Sequence, residues 1–90
     1  MTKEELIKIV EEYGDAIIHY KSLNSKKLKY NVCTLDFECP YIKSKRNLTK
    51  ESAHNLLLYC WDTDGYRLLI PENVVRVEPL SSILKNEKVD

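Results

Sequence analysis

Apolar positions change their period once near the start of the chain, and that change divides a helix from a run of strands. Leu6, Ile9, Val10 and Tyr13 recur at helical spacing with Ile7 at the edge of the stripe, while Lys3, Lys8, Glu11 and Glu12 fall on the opposite side. Thr2 precedes this run with Glu5 three residues on, the pattern of a capping box, and Gly14 follows it as a residue able to end the helix in a left-handed conformation. The spacing predicts a helix from about Lys3 to Tyr13. Three turns are marginal alone in water, so the apolar stripe must dock on the rest of the chain or on another subunit.

After Gly14 the period becomes two. "AIIHYK" sets Ile18 and Tyr20 on one face and Ile17 and His19 on the other, and the polar "SLNSKK" reads as a turn. "LKYNVCTLDF" reads as a longer strand whose apolar positions run Leu28, Tyr30, Val32 and then change phase to Cys33, Leu35, Phe37, as when a bulge or sharp bend carries one strand between two sheets. From Glu38 to Ala53 the pattern is irregular, with Tyr41 and Ile42 as candidate anchors. "HNLLLYCW" then reads as a buried strand, "DTDG" as a turn in which Gly65 supplies the positive φ, and "YRLLI" as the returning arm of a hairpin. "PEN" predicts one short helical turn. "VVRVEP" predicts a last strand that alternates Val75 and Val77 against Val74, Arg76 and Glu78, with Pro79 as its stop. "LSSIL" predicts a C-terminal turn that packs Leu80, Ile83 and Leu84, and the last six residues should fray.

Ninety residues hold one modest core, so the expectation is a single domain over 1–90: helix over 1–14, a five-stranded small barrel over 15–80, and a frayed tail over 85–90. The fold class is α+β, mostly β. A helix followed by about five strands, one of them bent, with a kink before the last, resembles the order of Sm-like and SH3-like small barrels. "RLLIPENVVRVEPL" is similar to the SH3-type ending. "IHYKS" with "LLLYCWDTDGYRLLIPENVVRV" resembles a shortened WYL domain, with Tyr59, Trp61 and Arg67 where that family carries an aromatic pair and an arginine-bearing strand. The tryptophan-tyrosine-leucine signature and the glycine-containing motifs by which Sm proteins bind uridines are absent, so no ligand site carries over. The compact, lysine-rich and cysteine-bearing character also resembles small accessory proteins of tailed phages.

Charge changes the picture, although the net charge is zero. Residues 1–20 and 51–90 are each net acidic, and the excess of positive charge lies between them in Lys21, Lys26, Lys27, Lys29, Lys43, Lys45, Arg46 and Lys50, offset only by Asp36 and Glu38. Such a segment raises encounter rates with anions, phosphates included, and also reads as an ordinary solvated lysine surface. Tyr20, Tyr30 and Tyr41 are interleaved with it, which gives the materials for stacking on bases, and equally for tyrosines half-buried at a barrel rim. Trp61 and Tyr66 flank the hairpin turn as a cross-strand pair or a ligand contact.

Other chemistries find little to build on. Gly14 and Gly65 are the only glycines, so no phosphate-cradling glycine loop exists. Asp62 and Asp64 supply too few oxygens for calcium and are the residues a turn uses. His19, Cys33, Cys39, His54 and Cys60 show no zinc spacing, and the cysteines read as buried small hydrophobes. Three cysteines, an odd number, fit no paired disulfide framework and favour a reducing cytosol. Cys39 with either histidine is the one nucleophile pairing that strand geometry leaves open, and no oxyanion loop accompanies it.

No metal, cofactor or catalytic residue is therefore expected, and no apolar run reaches the length of a membrane span. The expected localisation is cytoplasmic, in a host cytoplasm if the chain is phage-encoded, and the small core makes a homo-oligomer the expected state. The function these features imply is a non-catalytic binding module of the sort a phage uses to bind and inhibit or redirect a host factor. The alternative is a nucleic-acid or small-nucleotide-sequestering protein that uses the basic 41–50 segment. The candidate binding residues are Tyr41, Lys43, Lys45, Arg46, Trp61, Tyr66 and Arg67.

Overall fold

The computed structural model describes residues 1–22, 24–42 and 51–82. Helix α1 spans Lys3–Tyr13, as its apolar spacing predicts. Both halves of the capping box form: the Glu5 N–H donates to Thr2 Oγ1 and the Thr2 N–H donates to Glu5 Oε1, each at 3.1 Å. The second bond holds the Glu5 carboxyl below its ordinary pKa, because the ionised form is the better acceptor. Gly14 ends the helix at φ +79°, donating its N–H to Val10 O at 2.9 Å. Leu6 and Val10 are fully buried and Ile7 packs beside them. Tyr13, at the last position with no following turn to flank it, is exposed.

Five strands follow: β1 (Asp15–Lys21), β2 (Leu28–Thr34), β3 (Leu56–Cys60), β4 (Gly65–Leu69) and β5 (Val74–Pro79). All neighbours are antiparallel, in the order β4-β3-β2-β1-β5. The protein is thus a small α+β fold, mostly β. The first and last strands of that order, β4 and β5, are joined by Ile70 and a single 3-10 turn at Pro71–Asn73. Laid flat, strands about 4.8 Å apart would separate the two edges by about 19 Å. The step from Leu69 to Val74, with a helical turn inside it, reaches on the order of 12 Å. The sheet must therefore curl. A direct contact agrees: Arg67 on β4 donates to the Tyr20 hydroxyl on β1 at 3.0 Å, although two strands lie between them in the sheet. No β4–β5 ladder forms among the described residues, so the sheet is curled but not closed.

The concave face carries the core. Ala16, Ile18, Tyr20, Cys33, Leu56, Leu58, Cys60, Leu69 and Val74 pack there with Leu6 and Val10 of α1 laid over them. Lys3 ties the start of α1 to the approach to β3, its Nζ 3.2 Å from Glu51 Oε2 and donating to Ser52 O at 2.8 Å.

Four details differ from the expectation. β2 ends at Thr34 and pairs with β1 without a bulge from Asp15↔Thr34 to Lys21↔Leu28. The concave parity is that of Cys33 and Asn31, so Leu28 and Tyr30 are left 62% exposed and no bend turns them inward. The irregularity lies instead between β1 and β5, where His19 faces Arg76 and Tyr20 faces Val74. Val75 is the extra, exposed residue, and its bulge lets both Val74 and Val77 reach the core, which strict alternation forbids. In the hairpin turn the positive φ belongs to Asp64, at +50°, and not to Gly65. Aspartate tolerates that region, and Asp64 is held there by the Tyr59 hydroxyl, leaving Gly65 extended opposite Cys60. Tyr41 is 80% exposed, whereas Ile42 is half-buried. A helical turn begins at the half-buried Leu80, with Ser82 Oγ donating to Pro79 O at 2.8 Å; Ile83, Leu84 and the 85–90 tail lie outside the described residues.

The two glycines should respond differently to one methyl group. Gly14→Ala forces a side chain into the left-handed region and should cost about 1 kcal/mol. Gly65→Ala meets only Thr63 O at 3.9 Å, from a backbone without positive φ, and should stay within about 0.5 kcal/mol of the parent. Urea denaturation of the two variants checks the contrast; equal losses would contradict it.

Candidate anion-binding site

β1 starts beside Gly14 and runs to Lys21, so its ends lie about 20 Å apart and define two ends of the curled sheet. The far end is basic. Tyr20, Lys21 and Ser22 leaving β1, Lys29 entering β2, and Arg67, Leu68 and Leu69 with Ile70 and Asn73 from the β4–β5 connection line a cavity of about 140 Å³. That is roughly the volume of four or five liquid waters. Among the described lining residues three are cationic and none is acidic. The chain reaches this place by local necessity: the turn between β1 and β2 closes through Ser22 N–H to Lys27 O at 2.9 Å and Lys26 N–H to Ser22 O at 3.0 Å, which sets Lys21 opposite Leu28 and Tyr20 opposite Lys29 at this end of the sheet.

A chain of hydrogen bonds runs inward from this cavity. Arg67 Nη1 donates to Tyr20 Oη, Tyr20 donates to Asn31 Oδ1 at 2.5 Å, and Asn31 Nδ2 donates to both oxygens of Asp62 at 3.3 and 3.1 Å. Asp62 Oδ1 also accepts the Val32 N–H at 3.3 Å. Tyr20 and Asn31 are 8% and 4% exposed, so a cation at the rim is connected to a carboxylate across the core by fully used polar groups. The thread fixes the tyrosine hydroxyl and engages Nη1 of Arg67, whose guanidinium carries five donors in all.

The other end is acidic and aromatic. Asp15, Thr34, Asp36, Cys39, Tyr41 and Trp61 surround a second cavity near Gly14, and Trp61 Nε1 donates to Asp15 Oδ1 at 2.9 Å. On the convex side Tyr59 meets Trp61 edge-on at 4.9 Å between ring centroids and Tyr66 at 5.3 Å, and Tyr66 meets Phe37 at 5.4 Å. The Tyr59 hydroxyl donates to Asp64, and that bond, with burial and the charge of Asp64, pushes its pKa up to about 12.

Of the residues singled out from the sequence, Tyr41 and Trp61 line the same acidic cavity and Trp61 and Tyr66 share one aromatic cluster, whereas Arg67 stands apart from all three. Arg67 lines the basic cavity. Trp61 and Tyr66 belong to a convex aromatic cluster organised by Tyr59 between them, and Tyr41 stands at the acidic end. Lys43, Lys45 and Arg46 lie outside the described residues. Lys21, Lys29, Tyr20 and Asn31 were not singled out as a group; the available signal was that Lys29 and Asn31 share the parity of Cys33, a polar pair on the buried face of a strand. Cys33 and Cys60 are fully buried, as small hydrophobes would be, whereas Cys39 is half-buried. Among the described residues no three His, Cys, Asp or Glu side chains gather as a metal site, and no helix is long and apolar enough to cross a membrane.

Compared with known proteins, the chain matches no protein-family model, no curated protein and no solved structure.

Two outcomes follow from these contacts. Asn31→Ala strands the Tyr20 hydroxyl and Asp62 at once and should destabilise by about 2–3 kcal/mol, read from denaturant midpoints. For Tyr59, the folded-state pKa lies above the ordinary value near 10, so the folded protein keeps a proton that the unfolded chain releases. Its contribution is complete below about pH 10 and is lost as pH rises from about 10 to 12. Tyr59→Phe should lose stability less steeply than the parent across that window; parallel curves would show that the hydroxyl adds no pH dependence.

Proposed function

We propose that the protein is a non-catalytic binding protein that receives the phosphate group of a small anionic ligand, such as a nucleotide, in the basic cavity. The observation that carries this reading is that Lys21, Lys29 and Arg67 all line one cavity, with no carboxylate among its described lining residues. Arginine offers paired donors to phosphate oxygens, two lysines add point charges, and the Ser22 hydroxyl and the Asn73 side chain supply neutral donors. A volume of about 140 Å³ takes one or two phosphate groups and leaves the rest of a ligand outside, toward Lys26 and Lys27 of the adjoining turn. The net-positive 21–50 segment favours the same class of ligand through its field. The proposed fold behind it is an Sm-like or SH3-like barrel, supported by the short β4–β5 connection and the strand order.

A second reading, a module that binds a protein partner in the manner of a phage accessory protein on a host factor, has one specific support. Leu28 and Tyr30 are 62% exposed and Val75 54%, all on β2 and β5.

The two readings separate in one titration. Inorganic pyrophosphate should raise the melting temperature of the protein at low salt by mass action, and the effect should fade as salt rises. Replacing Lys21, Lys29 and Arg67 together by Gln should weaken pyrophosphate binding at least about tenfold, since loss of one charge-assisted contact alone is worth that much. Full retention of binding in the triple variant would remove the cavity as the site, and no binding by the parent would leave the protein-partner reading in front.

A further inference from the structure

Cys33 and Cys60 face each other across β2 and β3, with their Sγ atoms 3.5 Å apart and both side chains without solvent exposure. Trp61 N–H donates to Val32 O at 2.7 Å, which makes the neighbouring Cys33↔Cys60 pair the close-approach position of an antiparallel ladder. At such positions Cα atoms stand about 4.5 Å apart, inside the range a disulfide spans. The seam they share is the shortest in the sheet: β2 and β3 are paired only at Cys33↔Cys60 and Thr34↔Tyr59, whereas β1 and β2 are paired along seven positions. It is the seam at which local opening costs least.

We propose that Cys33 and Cys60 form an oxidisable dithiol, and that a peroxide converts them to a cross-strand disulfide that staples this seam. Cys60 sulfur attacks one peroxide oxygen, the O–O bond breaks, and the departing hydroxide takes the Cys60 proton to leave as water. The sulfenic acid so formed is attacked by Cys33 sulfur, which closes the S–S bond and expels a second water that carries the Cys33 proton. The two sulfurs lose two electrons and the peroxide is reduced to two waters. Cys60 takes the first role because the Cys33 thiol, hydrogen-bonded to it, holds its own proton above the ordinary range and lowers the Cys60 pKa. The bond would close a loop from 33 to 60 that contains the whole connection between β2 and β3. The inference does not rest on the anion site, because neither cysteine lines that cavity.

The test is exposure of the full chain to hydrogen peroxide, followed by denaturation, alkylation and intact mass measurement. Expected are a mass lower by about 2 Da before alkylation, Cys39 as the sole alkylated cysteine, a linked 33–60 peptide, and a melting temperature higher on the order of 10 °C that reductant reverses. A Cys39→Ser variant should show the same 2 Da loss. Three alkylated cysteines, a bond that involves Cys39, or gain of oxygen atoms on Cys33 or Cys60 in place of the bond would each overturn the proposal.

Discussion

The short tie between β4 and β5 governs the rest of the structure. Two strands at opposite edges of a five-stranded sheet are held within a few residues of each other by Ile70 and the Pro71–Asn73 turn, and only a curled sheet satisfies that distance. Curling makes one face concave, and a concave face of five short strands encloses a core that a flat sheet of the same size would leave half open. It also brings β4 opposite β1. The contact of Arg67 with Tyr20, the polar thread through Asn31 to Asp62, and the basic cavity all exist because of that approach.

The helix has the complementary part. α1 is too short to stand alone, and the sheet is too narrow to bury its concave face unaided. Leu6 and Val10, both without exposure, answer each need with the same surface. The turn at Gly14 fixes where the helix is handed to β1, and Lys3 fixes its other end against Glu51 and Ser52.

Most of the element order was legible because its signals are local. A capping box, a helical stripe, a glycine C-terminal to it, a period of two and a proline-bearing turn each act within a few residues, and α1, the hairpin and the 3-10 turn stand where those signals put them. What the sequence hid was parity and partnership. In "LKYNVC" the apolar residues Leu28 and Tyr30 suggest the buried face, yet Asn31 holds it, because Asn31 has polar partners on β1 and in the hairpin turn that no local pattern announces. The β5 bulge was hidden for a similar reason: it is a property of the pairing with His19 and Tyr20, not of "VVRV". The same holds for the cysteines, which looked unpaired by count, whereas Cys33 and Cys60 meet through a register set by residues far away.

The candidate site inherits this non-local character, and its chemistry is sharper for it. Counting charges along the chain points to the whole 21–50 segment, but a run of lysines is a diffuse field, and a field attracts anions without holding one in place. Localisation needs charges from separate elements on a single concavity, with nearby hydroxyls already oriented. Lys21 and Lys29 come from the two arms of a turn, Arg67 comes from β4, three places from β1 and two from β2 in the sheet, and Tyr20 is fixed by Asn31. Asp62 completes the arrangement at a distance: its negative charge orders the thread yet stays out of the cavity lining, so the positive potential at the rim is not cancelled where a phosphate would sit. A surface lysine cluster has no such division between the charge that organises and the charges that would bind, and on the proposed reading that division is what would set this cavity apart from an ordinary solvated patch.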